Sequence, residues 1–121
     1  MGIMIAQSME QLTLQIQTPK QKMETNINKM IEYPKQGILS KEIMKTSKLD
    51  VSLFCMAEGT EISEHTSTKQ GIVYILEGKG VFNLEGKDIK MIPNMLIFMK
   101  ENAIHSLKAE ENTAFLIILI K

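Results

Sequence analysis

The chain has 121 residues, 44% of them hydrophobic, which suits one domain with a buried core. Its 14 basic and 14 acidic residues cancel and form no block of like charge, which excludes a nucleic-acid footprint or an anionic-membrane patch. All the basic residues are lysine, so no rigid guanidinium fork is available for bidentate capture of phosphate or carboxylate.

Residues 1–17 carry two patterns. Leu12, Leu14 and Ile16 alternate with polar residues as in a strand, while Met9, Leu12 and Ile16 fit one face of a helix. Both readings stay open. The apolar start, Met1 to Ala6, is too short for a signal-peptide core, and Ala6 spoils a myristoylation pattern. Thr18-Pro19 with Gln21 resembles a capping box with proline at the first helical position. Met23, Ile27, Met30 and Ile31 follow at helical spacing, which predicts a short helix over 19–30. The first 30 residues thus read as an N-terminal arm, and residues 31–121 as the main body.

Tyr33-Pro34-Lys35-Gln36-Gly37 is a turn-rich boundary. Beyond it the chain reads as short strands near 38–45, 49–56, 61–66, 71–77, 79–84, 87–92, 95–99, 104–109 and 113–120. Glu85-Gly86 predicts a two-residue hairpin turn, and Pro93-Asn94 another break. Many short, regularly punctuated strands predict an all-β sandwich or barrel. Ala114 to Ile120 is apolar on both faces, so something must cover its outer side. A second subunit would do so, which predicts a homodimer; the alternative is the chain's own N-terminal arm. The same run is far too short to span a bilayer, and a cytoplasmic protein is expected.

Gly59, His65, Ser67, Gly71 and Gly78 stand at the spacing of the first motif of the cupin family, and the chain resembles that family on this ground. The family has histidine at 65 and 67 and glutamate at 71, which bind a metal. A second motif is similar to Asn94, Lys100, Asn102, His105 and Ala109, where the family has glycine, proline, glycine, histidine and asparagine. Asn94 and Asn102 can replace turn glycines because asparagine tolerates the left-handed region. The resemblance covers about residues 31–121 and implies a cupin-type jelly-roll β-barrel. It also implies a pocket built around His65, Ser67, Val73 and His105, with His65 and His105 as an incomplete site for a divalent metal such as Zn, Mn, Fe or Ni.

Other residues read more plainly. Ser67 lies two residues beyond His65, on the same face of an extended strand, and has no nucleophile elbow around it. Cys55 sits in the apolar run Val51–Met56 and reads as a core thiol. Glu61, Glu64 and Glu77 read as surface carboxylates. Met44, Met56, Met91, Met95 and Met99 read as core filling, with a plastic ligand cavity as the rival. The functional expectation is a small single-domain cupin that binds a small molecule in its barrel. A metal-dependent isomerase, cyclase or dioxygenase is the alternative, and a structural or dimerisation module the third reading. Whether the chain is an enzyme stays open.

Overall fold

The computed structural model describes residues 23–121. The two patterns over 1–17 and the Thr18-Pro19 cap fall outside the described residues. Nine strands follow one another: β1 (Ile38–Lys45), β2 (Leu49–Met56), β3 (Glu61–His65), β4 (Gln70–Glu77), β5 (Gly80–Leu84), β6 (Lys87–Met91), β7 (Leu96–Met99), β8 (His105–Ala109) and β9 (Thr113–Ile120). They form a five-stranded sheet in the order β1-β2-β9-β4-β7 and a four-stranded sheet in the order β3-β8-β5-β6. The two sheets make the jelly roll that the strand punctuation predicts. Among the described residues no helix is long and apolar enough to cross a membrane.

Alternation explains which face of each strand turns inward. Along β4, Val73 and Ile75 are fully buried while Ile72, Tyr74 and Leu76 are half-buried on the other side. The core between the sheets holds Met56, Val73, Ile75, Phe82, Met91, Ile97, Met99, Leu107, Ala109 and Phe115. Phe54 stacks on Phe115 with ring centroids 5.6 Å apart. Fully burying the Phe115 ring contributes ~1.5–3 kcal/mol, and the half-buried Phe54 adds to it, so the pair helps tie β2 to β9. The methionines divide: Met56, Met91 and Met99 are buried in the core and Met95 packs on its edge.

Turns set the register. Glu85 and Gly86 both have positive φ, 51° and 86°, as a two-residue hairpin turn of the primed type requires. Asn94 (φ 72°) and Asn102 (φ 66°) occupy the left-handed region expected of them. The Asn102 amide then donates to the Ser67 carbonyl at 2.6 Å, which ties the β3–β4 connection to the turn before β8.

The helix expected over 19–30 does not form in its described part. The chain there makes a single 3₁₀ turn, Ile27–Lys29. Asn26 is extended (φ −91°, ψ 104°), and its side chain accepts from the Asn28 amide at 3.1 Å. That bond caps the turn, which therefore begins after Asn26. The apolar residues are used all the same. Ile27, Met30, Ile31 and Tyr33 pack on Leu53, Cys55 and Ala114, on the outer face of the larger sheet. Leu116 of β9 joins that cluster. Part of the cover that β9 needs is therefore supplied by residues 27–33 of the same chain, and β9 itself lies between β2 and β4 in the sheet.

Candidate functional site

His65 ends β3 and His105 begins β8, and the two are direct partners across that antiparallel pair. A register shift between Ile62 and His65 brings them opposite each other. Their ring centroids are 4.0 Å apart with the planes tilted by 57°. His105 is 6% exposed, whereas His65 stands at the exposed side. Phe82 of β5 backs the His105 ring, parallel to it at 5.7 Å between centroids. The carboxylate of Glu85 accepts from the Ile104 amide at 2.5 Å, and the Glu85 amide donates to the Ile104 carbonyl at 2.8 Å. The hairpin turn thereby anchors the residue just before His105.

Hydrogen bonding fixes the tautomers. His65 Nδ1 lies 2.8 Å from the Ser63 carbonyl, and His105 Nδ1 lies 3.0 Å from the Ala103 carbonyl. A carbonyl only accepts, so each Nδ1 carries the proton. In the neutral rings this leaves both Nε2 atoms with a free lone pair. Burial pushes the His105 pKa below its ordinary 6.5, and the nearby His65 adds to that, against the opposing pull of the Ala103 carbonyl.

The rings border a cavity of about 200 Å³. Its polar wall comprises Asp50, Ser52, Ser67, His65 and His105, and its apolar wall Phe54, Met99, Ile117 and Leu119. Ser67 accepts from the Lys69 amide at 3.2 Å, which leaves its hydroxyl proton and one lone pair for a ligand. Asp50 carries a buried oxygen. Lys121 Nζ stands 3.0 Å from Asp50 Oδ1, yet no aligned hydrogen bond reaches that oxygen. Lys121 aims its bond at the Thr46 carbonyl, 2.9 Å away, so the contact is an ion pair by distance and not by alignment.

Of the four residues expected around the pocket, His65, Ser67 and His105 meet at the cavity. Val73 does not line it. It sits deeper along β4, paired with Ile97 and Ile117, and is fully buried in the core. Asp50 and Ser52 were not anticipated, although a signal exists: they alternate with Val51 and Leu53 and share the inward face with Phe54. Cys55 is fully buried, away from the cavity, against Leu53 and Ala114. Glu61 and Glu64 are exposed, and Glu61 lies 3.9 Å from Lys108. Glu77 is exposed too, and accepts from the Tyr33 hydroxyl at 2.6 Å.

The metal that the motif spacing implies does not fit this donor set. Two imidazoles are present, where zinc sites use three or four protein ligands. Among the described residues no group of three His, Cys, Asp or Glu side chains could hold a metal ion. The position of the expected carboxylate is also filled. A Cβ placed on Gly71 would meet Leu119 Cδ2 at 3.1 Å, Met99 Cε at 3.2 Å and the Ile118 carbonyl at 3.3 Å. Leu119 and Met99 are cavity-wall residues, so apolar surface stands where a glutamate would reach in.

With fold and site described, the family follows. Residues 52–121 match the cupin domain family, more than half of the chain, and the protein belongs to it. Solved structures agree on the fold. A conserved protein of unknown function from Streptococcus pyogenes is 20% identical, with a TM-score of 0.75 over 90% of this chain and 96% of that one. A cupin superfamily protein from Desulfitobacterium hafniense is 20% identical, with a TM-score of 0.74 over 88% and 98% of the two chains. A Cupin 2 conserved barrel domain protein from Leptotrichia buccalis is 26% identical, with a TM-score of 0.75 over 80% of this chain and 47% of that one. No curated protein matches the sequence.

Proposed function

We propose that this cupin binds a small molecule in the barrel cavity beside His65 and His105, and that it does so as a homodimer. The observation that carries the binding reading is the pair of imidazoles 4.0 Å apart, each with its Nδ1 tied to a carbonyl and its Nε2 free. A barrel kept only as a scaffold gains nothing from this pair. Apolar side chains of similar volume would fill the space without placing polar nitrogens on the wall. A cavity of about 200 Å³ is below the ~300 Å³ at which drug-sized ligand sites begin, so the ligand is compact. The dimer rests on apolar surface that residues 27–33 leave open. Leu96 and Phe98 of β7 are 48% and 67% exposed, beside the half-buried Ile72 and Tyr74.

Native mass spectrometry of freshly isolated protein, paired with His105→Ala, tests the binding reading. A small retained mass that the variant loses is the expected result. An empty protein whose imidazole resonances also ignore a fragment mixture would refute it.

A further inference from the structure

The cavity wall offers hydrogen-bond acceptors almost throughout. The two imidazoles present Nε2 lone pairs, and Asp50 contributes a carboxylate whose buried Oδ1 already lies 3.0 Å from Lys121 Nζ. Ser52 and Ser67 can donate or accept. Asp50 is the one carboxylate among the described lining residues. No lysine is among the described lining residues; Lys121 Nζ lies 3.0 Å from Asp50 Oδ1 and bonds the Thr46 carbonyl. The remaining wall is apolar: Phe54, Met99, Ile117 and Leu119.

We infer that the cavity selects a compact ligand with a protonated amine at one end and an apolar body, the amine seated on Asp50. The inference rests on the small-molecule reading above and adds the ligand's class. An anionic head would meet the Asp50 carboxylate and two ring lone pairs, with no donor but the serine hydroxyls. A neutral alcohol would satisfy one acceptor. An ammonium brings three donors and a charge, and matches an acceptor wall best. Lys121 shows that this carboxylate accommodates an ammonium at 3.0 Å. It also competes for Asp50, so it sets how tightly a ligand amine is held.

The test uses benzylamine, benzyl alcohol and benzoate, which share one apolar ring and differ in the head group. Binding to the full chain is followed by the His65 and His105 imidazole resonances, at a pH where the amine is protonated and free imidazole is not. The amine should bind at least ~10-fold more tightly than the alcohol, as one charge-assisted hydrogen bond of ~1.4 kcal/mol supports. Benzoate should bind least. Asp50→Asn should remove the preference for amine over alcohol. Lys121→Met should raise amine affinity and leave alcohol affinity unchanged. This second variant carries the test if the first does not fold. Equal binding of all three probes would overturn the inference and leave the small-molecule reading standing. A preference that survives in Asp50→Asn, or an amine affinity that does not rise in Lys121→Met, would overturn the role of Asp50. If no probe moves either imidazole, the inference and the reading beneath it both fall.

Discussion

His65 and His105 are direct partners across the β3–β8 ladder, with ring centroids 4.0 Å apart and each Nδ1 bonded to the carbonyl of the residue two before it. Two strands bring together histidines forty residues apart in sequence. Neighbouring rings of this kind resist protonating together, because the second charge must form against the first.

That geometry gives a pH prediction. The His105 pKa lies below its ordinary 6.5, chiefly through burial. Between the folded value and 6.5 the unfolded chain therefore binds more protons than the folded one. The contribution of His105 to stability is full above 6.5 and is lost as pH falls toward its folded value. Urea midpoints should drop through that window. The drop should shrink in His105→Phe, provided the variant folds. A His105 imidazole that titrates at or above 6.5 by NMR would contradict the burial argument.

Tyr33 gives the opposite sign at the alkaline end. Its hydroxyl donates to Glu77 at 2.6 Å, and burial together with that carboxylate raises its pKa above the ordinary 10.0. A raised pKa means stability that is complete below 10.0 and lost as pH climbs through the folded value. Ultraviolet titration of the native protein should show a tyrosine that resists ionisation, and Tyr33→Phe should abolish that signal.

The same hydrogen bond pins residues 27–33 over Cys55. Cys55 is fully buried beneath Ile27, Met30, Ile31 and Tyr33. Native protein should react slowly with a thiol reagent and unfolded protein fast. Tyr33→Phe should speed native labelling by freeing the segment. Cys55→Ser should cost ~1–3 kcal/mol, because a hydroxyl is desolvated where a thiol was at ease. Labelling that is already fast in the native protein would mean that the segment does not stay closed.

Gly78 links the two sheets at the β4–β5 turn and has φ 110°. A Cβ there would run into the Asn112 carbonyl and into Thr113 at 2.5 Å, where Thr113 Oγ1 accepts from the Lys79 amide. Gly78→Ala therefore combines an unfavourable φ with a backbone clash, and should cost more than ~2 kcal/mol. Gly86→Ala is the control: it shares a positive φ of 86° and has nothing within 4 Å, so the smaller loss it shows reports φ alone.

The strands were legible because two signals agreed. Alternation marks the inward face, and Gly, Asn and Pro mark the ends, so each predicted strand lies within a residue or so of the one observed. The pairing of His65 with His105 was legible only through motif spacing, since no local pattern joins residues so far apart. Asp50 escaped notice because it begins an apolar run, and a single carboxylate at a strand start reads as an edge residue until β9 is laid beside it. Val73 was misplaced because inward-facing does not mean cavity-lining: Val73 faces inward from β4 but is packed into the core rather than onto the cavity. In the described part of 19–30 the periodicity yields only one 3₁₀ turn, which Asn26 caps.

The homodimer can be tested at one place. Leu96 and Phe98 point outward from β7, an edge strand of the larger sheet among the described residues, so a partner seated there would cover exposed apolar surface and that strand edge together. A stable association needs ~1,000 Å² or more of total buried area, and these two side chains with Ile72 and Tyr74 would lie within it. Sedimentation at micromolar concentration should give twice the chain mass. Phe98→Lys should give the single mass with the fold intact. A wild-type monomer at that concentration would refute the dimer.

Metal loading is the last expectation, and the cavity makes it specific. Two free Nε2 atoms can hold a divalent ion weakly, so added zinc should raise the melting temperature slightly, and a mild chelator should reverse the rise without unfolding. The two missing ligands are not equivalent. Ser67 already faces the cavity, so Ser67→His should add a third imidazole and tighten zinc by at least ~10-fold, or ~1.4 kcal/mol. Gly71→Glu should not. Its Cβ meets Leu119 at 3.1 Å and Met99 at 3.2 Å, and the Ile118 carbonyl behind them at 3.3 Å cannot move aside as a side chain can. The carboxylate would have to displace the apolar wall before it reached the ion. Restoring Gly71→Glu should therefore lose stability first and gain metal affinity only when Leu119→Ala opens the space. Should Gly71→Glu alone tighten zinc as much as Ser67→His, the apolar wall is softer than the contacts at Gly71 require.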